Sequence, residues 1–261
     1  MSQGKLLTPA VVLSTVDYGD ADRIVTLFTR ELGKVSAMAR GARKGQRRFG
    51  AGVSAFGVGE ATLRERPSAE LLILDGFDGS RGWPHLLEDM AKMAHAGYVC
   101  ELVRELSPPR QPEPRIFELL VEMLDLLDGA PASAGQLRLF ELHLLDAVGL
   151  QPTLDRCLRC ADQTIPLDEE GQRFDWRLGG VVCARCQVYN AGVGLPLDGT
   201  ARRALLDGQT RALRDAANWV ISPETQVVCR EVLTGFLRQH LPRALKSMEF
   251  IAKLNHARVR P

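Results

Sequence analysis

The chain has 261 residues and carries 33 Lys+Arg against 32 Asp+Glu, a formal charge of +1. At 45% hydrophobic, 25% charged and 6% aromatic, its composition excludes wholesale disorder, a collagen-like repeat and a coiled-coil fibre. The length allows one large domain or two smaller ones, each able to bury a core without a metal or disulfides.

The opening run, "MSQGKLLTPAVVLSTVDYGDAD", has too short an apolar centre for a signal peptide. No later stretch approaches the roughly 20 apolar residues of a membrane span. Six cysteines without an export signal fit a reducing, cytoplasmic setting, where closely spaced pairs serve as metal ligands or redox centres rather than disulfides.

The first eighty residues alternate apolar and polar side chains in short runs broken by glycine turns. Strands are predicted at 10–15, 23–29, 33–40, 60–64 and 70–77, with Ile24, Thr26 and Phe28 on one face and Val25 and Leu27 on the other. Five short strands in this length fit an OB-fold barrel, and an SH3-like barrel fits the pattern nearly as well. Beyond "GSRGWP" at 79–84 the period becomes helical. A helix is predicted over 84–106, stopped by Ser107-Pro108-Pro109, and two more over 114–127 and 135–148. After the cysteines come three further helical stretches, one starting at Ser222-Pro223-Glu224 with a capping hydroxyl and a proline in the first turn. The expected fold is α+β: an OB-fold domain at 1–80, then an α-helical domain at 81–261 holding a cysteine insertion at 154–190.

Within that insertion, Cys157-Leu-Arg-Cys160 and Cys183-Ala-Arg-Cys186 form two C-x-x-C pairs. Each pair can place two thiolates on one turn, and two such turns can close a tetrahedral four-thiolate site for one Zn2+. "RFDWRL", "LGG" and "VVC" between them read as strand, turn and strand. Four thiolates leave no open position, so the ion is expected to be structural; two pairs at this spacing favour a metal over a redox dithiol. Arg156, Arg159 and Arg185 would offset part of the charge on such a centre. Cys100 and Cys229 stand singly on apolar helical faces and read as core.

The charge is polarised along the chain. Basic against acidic residues number 11 and 9 over 1–80, 6 and 11 over 81–150, 5 and 6 over 151–190, and 11 and 6 over 191–261. From 33 to 51 there are six cations, Lys34, Arg40, Arg43, Lys44, Arg47 and Arg48, and no acid. Such a segment, followed by Phe49, suits a single-stranded nucleic-acid groove with phosphate-tracking cations and a stacking ring; a solvated mobile hairpin is the alternative. Phe28 and Phe56 could add stacking surface or belong to the core. No G-x-S-x-G, P-loop, dinucleotide-binding glycine pattern or H-E-x-x-H occurs, and the spacing of Glu141, His143 and Asp146 does not build a triad on a helix. No enzymatic activity and no small-molecule substrate are expected.

Three parts of the sequence together, "VVLSTVDYGDADRIVTLFTRELGKVSAMARGARK" at 11–44, "CLRC…CARC", and "HLPRALKSMEFI" at 240–251, resemble the RecO family of bacterial recombination mediators. The resemblance implies an N-terminal OB-fold, a helical domain with a four-cysteine zinc motif at Cys157, Cys160, Cys183 and Cys186, and no turnover. It implies binding of single- and double-stranded DNA through a basic OB surface at Lys34, Arg40, Arg43, Lys44, Arg47 and Arg48, and annealing of complementary strands. With RecR, such a protein would load RecA onto strands coated by single-stranded DNA-binding protein (SSB), in the cytoplasm at the nucleoid. Arg243, Lys246 and Phe250, in a C-terminal segment that interleaves cations with apolar residues, would meet the acidic, hydrophobic-ended tail of SSB. A terminal bundle helix with a solvated basic face fits the same residues. An RNA-binding OB protein with a structural zinc clip is a different reading, since nothing in the sequence reports on the 2′-hydroxyl.

Overall fold

The computed structural model describes residues 4–43, 49, 53–65, 70–160, 166–167, 169–187 and 194–259. Five strands come first: β1 (Lys5–Tyr18), β2 (Asp22–Thr29), β3 (Gly33–Ala39), β4 (Val58–Arg64) and β5 (Leu72–Arg81). Next are helices α1 (Pro84–Glu88), α2 (Met90–Leu106), α3 (Pro114–Gly129) and α4 (Ala134–Ala147). Short strands β6 (Arg173–Asp175) and β7 (Gly180–Val182), helix α5 (Ala184–Gln187) and strand β8 (Leu195–Pro196) follow. Helices α6 (Gly199–Thr210), α7 (Pro223–His240) and α8 (Lys246–Val259) complete the order, with a 3-10 turn at Leu213–Asn218.

Strands β1 to β5 close into a barrel in the order β1-β2-β3-β5-β4, with β4 returning to β1. Every pairing is antiparallel except β3 with β5. That single parallel closure, with β4 and β5 exchanged in the order, is the Greek-key barrel of the OB-fold and settles the choice against an SH3-like barrel. The interior holds Val25, Leu27, Val35, Ala37, Leu63, Leu72, Leu74 and Phe77, so the expected alternation on β2 is correct. Strand β1 is longer than its predicted core of 10–15. It runs through Pro9, opposite Glu60, and past a bulge between Val12 and Ser14; a bulge resets the alternation that marks a strand in sequence.

Contacts gather the chain into two compact units, Met1–Ala132 with Leu245–Pro261, and Ser133–Ala244. The barrel ends at Arg81, beside the boundary expected at 80, but α1 to α3 and α8 group with it. In this first unit α2 and α3 pack against β1, and α8 packs against α2. Val11 and Phe28, paired across β1 and β2 outside the barrel core, are fully buried. Gly33, at φ +64°, lets the β2–β3 turn approach the segment after α2. A Cβ there would lie 1.8 Å from the Gln111 carbonyl oxygen. The single helix predicted over 84–106 is two. Asp89 breaks it with extended backbone and accepts from the Ala91 and Lys92 amides at 2.7 and 3.1 Å, capping α2.

In the second unit, α4 packs on α6, α7 and the 3-10 turn. Its start carries a capping box between Ser133 and Gln136, and α7 starts at the expected Ser222 cap with Pro223 in its first turn. Strands β7-β6-β8 form a small sheet whose hairpin is the one read from "RFDWRL…LGG…VVC". It seats on α7: the Trp176 ring lies where a Cβ on Gly235 would be, its Nε1–H donates to the Val232 carbonyl at 3.1 Å, and Phe174 meets Phe236 edge-on.

Candidate metal centre and nucleic-acid surface

Cys157 and Cys160 lie on the loop after α4, Cys183 directly follows β7, and Cys186 sits in α5. The four sulphurs all lie within 4.8 Å of one another, and Cys160 and Cys183 Sγ are 3.8 Å apart. A tetrahedron with Zn–S bonds of about 2.3 Å has edges of about 3.8 Å, so the donor set fits a thiolate-bound metal ion. It is the one such grouping of cysteine, histidine and carboxylate ligands among the described residues. Backbone bonds outside the strands build it: Leu158 N–H donates to the Val181 carbonyl at 3.0 Å, and Cys186 N–H closes a turn onto the Cys183 carbonyl at 3.1 Å. Burial alone would raise the Cys157 thiol. Amides of Cys183 and Arg159, each 3.4 Å from its sulphur, and of Cys160 override that and bring it to about 6. Cys186, surrounded by the other thiols, is pushed up to about 12 by desolvation and by hydrogen bonds to Cys183, Cys160 and Cys157. Cys100 and Cys229 are buried, as their sequence context indicated, and burial raises each thiol to about 12.

One residue of this site was not singled out in sequence. Arg202 of α6 is 1% exposed. Its Nε donates to the Leu154 carbonyl at 2.7 Å, Nη1 to Gln172 Oε1 at 2.9 Å and to the Pro166 carbonyl at 3.2 Å, and Nη2 to the Asp155 carbonyl at 3.2 Å. It ties the loop that delivers Cys157 to the segment leading into β6. In sequence it is one arginine of a pair on an amphipathic helix; its neighbour Arg203 is exposed. Arg159 lies 3.7 Å from Asp175, so part of the charge expected to face the cysteines is met by a carboxylate.

The basic segment divides. Lys34 is half-buried on β3 and its ammonium donates to the Arg104 carbonyl near the end of α2; burial lowers its pKa. Arg40 and Arg43 are exposed just beyond β3. Arg43 donates to the Gly19 carbonyl at 2.9 Å and stands 3.4 Å from Asp17, which also takes Arg23 at 2.9 Å. Arg23, first by hydrogen bonding, holds the Asp17 carboxyl below its ordinary value. Lys44, Arg47 and Arg48 lie outside the described residues. Phe49 is not the stacking ring anticipated for this segment. It is 2% exposed and plugs the barrel core together with Val53. Phe28 is fully buried, and Phe56, at φ +70°, is half-buried with its carbonyl accepting from Trp83 Nε1 at 2.6 Å.

The C-terminal trio is split between the units. Arg243 is an exposed residue of the second. Lys246 and Phe250 lie on α8 of the first, where Phe250 is 43% exposed. Glu101 of α2 holds the start of α8, accepting from the Lys246 and Ser247 amides at 3.3 and 2.9 Å and from Ser247 Oγ at 2.5 Å. His143 donates to the Arg211 carbonyl at 2.7 Å, a helix-anchoring bond rather than part of a triad. A cavity of about 470 Å3 in the second unit, between α6 and residues 218–225, contains none of these candidate residues. Among the described residues, no helix is long and apolar enough to cross a membrane.

Comparison with known proteins agrees with this architecture. The family model described as "Recombination protein O N terminal" matches residues 1–79, and "Recombination protein O C terminal" matches residues 87–249. A protein of Anaeromyxobacter dehalogenans strain 2CP-1 named "DNA repair protein RecO" is 44% identical over 254 residues, covering 97% of this chain and 98% of that one. Proteins of the same name are similar in Myxococcus xanthus, 39% identical over 94% of this chain and 96% of theirs, and in Geobacter sulfurreducens, 36% identical over 94% and 96%. The chain belongs to the RecO family.

Proposed function

We propose that this chain is a non-enzymatic DNA repair mediator. It binds single- and double-stranded DNA, anneals complementary strands and, with RecR, helps RecA replace SSB on single strands. The observation that carries the reading is an OB barrel whose third strand runs directly into a segment with no acid and cations at Arg40, Arg43, Lys44, Arg47 and Arg48. A run of cations continuing from a barrel strand suits a phosphate backbone and needs no catalytic group. The names of the relatives, "DNA repair protein RecO", support the same assignment.

Cys157, Cys160, Cys183 and Cys186 would hold one Zn2+, which supplies folding free energy when bound and offers no open position for substrate. Lys246 and Phe250, both on α8, are the proposed contact for the SSB tail. The protein acts in the bacterial cytoplasm at the nucleoid. The test is fluorescence anisotropy with labelled single-stranded DNA, duplex DNA and RNA of equal length. The reading predicts DNA affinity that falls steeply with salt and is poorly competed by RNA; RNA outcompeting DNA would replace it with an RNA-binding role.

A further inference from the structure

The four cysteines of the cluster are not equivalent. Cys157 and Cys183 are 4% and 1% exposed, whereas Cys160 and Cys186 are only half-buried. Each C-x-x-C pair thus sends one sulphur inward and one outward. The inner side is also the more firmly held. Cys157 Sγ accepts the Cys183 and Arg159 amides, each at 3.4 Å, and an N–H donated to a thiolate stabilises its charge and weakens it as a nucleophile. Cys186 lies in α5, a single turn tied back by its own N–H to the Cys183 carbonyl and by Gln187 Nε2 to the Val182 carbonyl at 3.3 Å. Among the described residues, the hydrogen-bond partners of its sulphur are the other three cysteines, and no backbone amide is one of them.

Distance does not select which sulphurs can be joined, because all four lie within 4.8 Å of one another. A disulfide needs about 2.05 Å, so any pair must close by about 2–3 Å. Accessibility and attachment do select. Cys186 and Cys160 can meet at the surface by a movement of α5, without drawing Cys157 off its amides or opening the seat of Cys183.

We propose that Cys186 and Cys160 form a reversible oxidation site for peroxides, and that bridging them expels the metal ion. The proposal rests on the metal reading above. With hydrogen peroxide, the Cys186 thiolate attacks one oxygen: an S–O bond forms, the O–O bond breaks, and the leaving hydroxide takes a proton from solvent. The Cys160 thiolate then attacks the Cys186 sulphur. The S–S bond forms, the S–O bond breaks, and the second hydroxide leaves and is protonated. Two sulphurs have lost two electrons, and the peroxide has become two water molecules. Cys157 and Cys183 remain as two donors in place of four, too few to retain the ion. The bridge joins the same two loops that the ion joined, so the small sheet stays tethered. A thiol reductant returns both thiolates and restores the four-donor set.

Arg156, Arg159 and Arg185 let trypsin place all four cysteines on different peptides, so the pairing can be read directly. The experiment titrates the full metal-loaded chain with hydrogen peroxide and follows released metal with a chromogenic chelator. Remaining thiols are then alkylated and the bridge is mapped by peptide mass spectrometry. The expected result is one metal ion released for every two thiols lost, and a bridge between the Cys160 and Cys186 peptides. Cys100, Cys157, Cys183 and Cys229 should be recovered as thiols, and dithiothreitol with Zn2+ should restore the metal content. With limiting iodoacetamide in place of peroxide, Cys186 should be alkylated about tenfold faster than Cys157. The unaltered chain is used throughout, so no variant has to fold. A bridge that includes Cys157 or Cys183 overturns the proposal and leaves the metal reading intact, as does metal retained while peroxide oxidises other residues. If the isolated chain carries no metal and takes up neither Zn2+ nor Co2+, the metal reading itself fails and the proposal falls with it.

Discussion

Arg202 and Lys34 exchange the roles that their sequence settings imply. Arg202, on a helix surface by pattern, is buried and donates to four oxygens around the cysteine loop. Arg202→Leu strands those acceptors in the interior and should destabilise the second unit by about 2–4 kcal/mol. Chelator-driven metal release from the variant should be faster than from the unaltered protein, and equal release rates would show that the clamp does not hold the site. Lys34, in the basic run, places its charge on a helix-end carbonyl, where a cation is favoured by the helix dipole. Lys34→Met should lower the stability of the first unit and leave the DNA salt slope unchanged. Arg43→Ala combined with Lys44→Ala and Arg47→Ala should instead reduce the single-strand slope by about 2, at about 0.7 per phosphate contact. The salt series by anisotropy separates the two. Neither the arginine's burial nor the lysine's partner was legible, because both depend on segments distant in sequence.

At the scale of elements, what was periodic or locally signalled was readable. The five strands, the Ser222 cap and the hairpin between the cysteine pairs follow from alternation, a hydroxyl-proline start and a glycine turn, all written within a few residues. What was missed depends on tertiary partners. The β1 bulge hides the outward turn of Val16 and Tyr18, Asp89 cuts one apolar stripe into two helices, and Phe49 reads as a loop aromatic until the barrel closes around it. The attachment of α8 belongs with these, since its start is held by Glu101 about 145 residues earlier. Glu101→Ala removes that cap, worth about 1 kcal/mol. Amide hydrogen exchange over 246–254 should then accelerate about fivefold, with the barrel strands unchanged; unaltered α8 protection would mean the helix is held by its apolar face alone.

Across the whole molecule, the formal charge of +1 is a cancellation between basic ends and an acidic middle, and the fold distributes chemistry in the same segmented way. The four cysteines belong to the second unit and the barrel to the first. Cys183→Ser should therefore remove bound metal and lower the transition of the second unit, while the barrel keeps its β-sheet circular dichroism. Loss of annealing with both thermal transitions intact would instead place the metal in the activity itself. Cysteine spacing made the four-thiolate cluster readable. The proposed DNA surface shows in the sequence only as charge, since phosphate-binding side chains need no fixed spacing.

The most direct test of the mediator assignment is annealing of complementary single strands, each pre-coated with cognate SSB, followed in real time by fluorescence transfer between labelled ends. The account predicts that the chain accelerates annealing of the coated strands and that the triple substitution at Arg43, Lys44 and Arg47 abolishes the acceleration at physiological salt. Annealing of coated strands at the uncatalysed rate, by a chain shown to bind naked single strands, would contradict it.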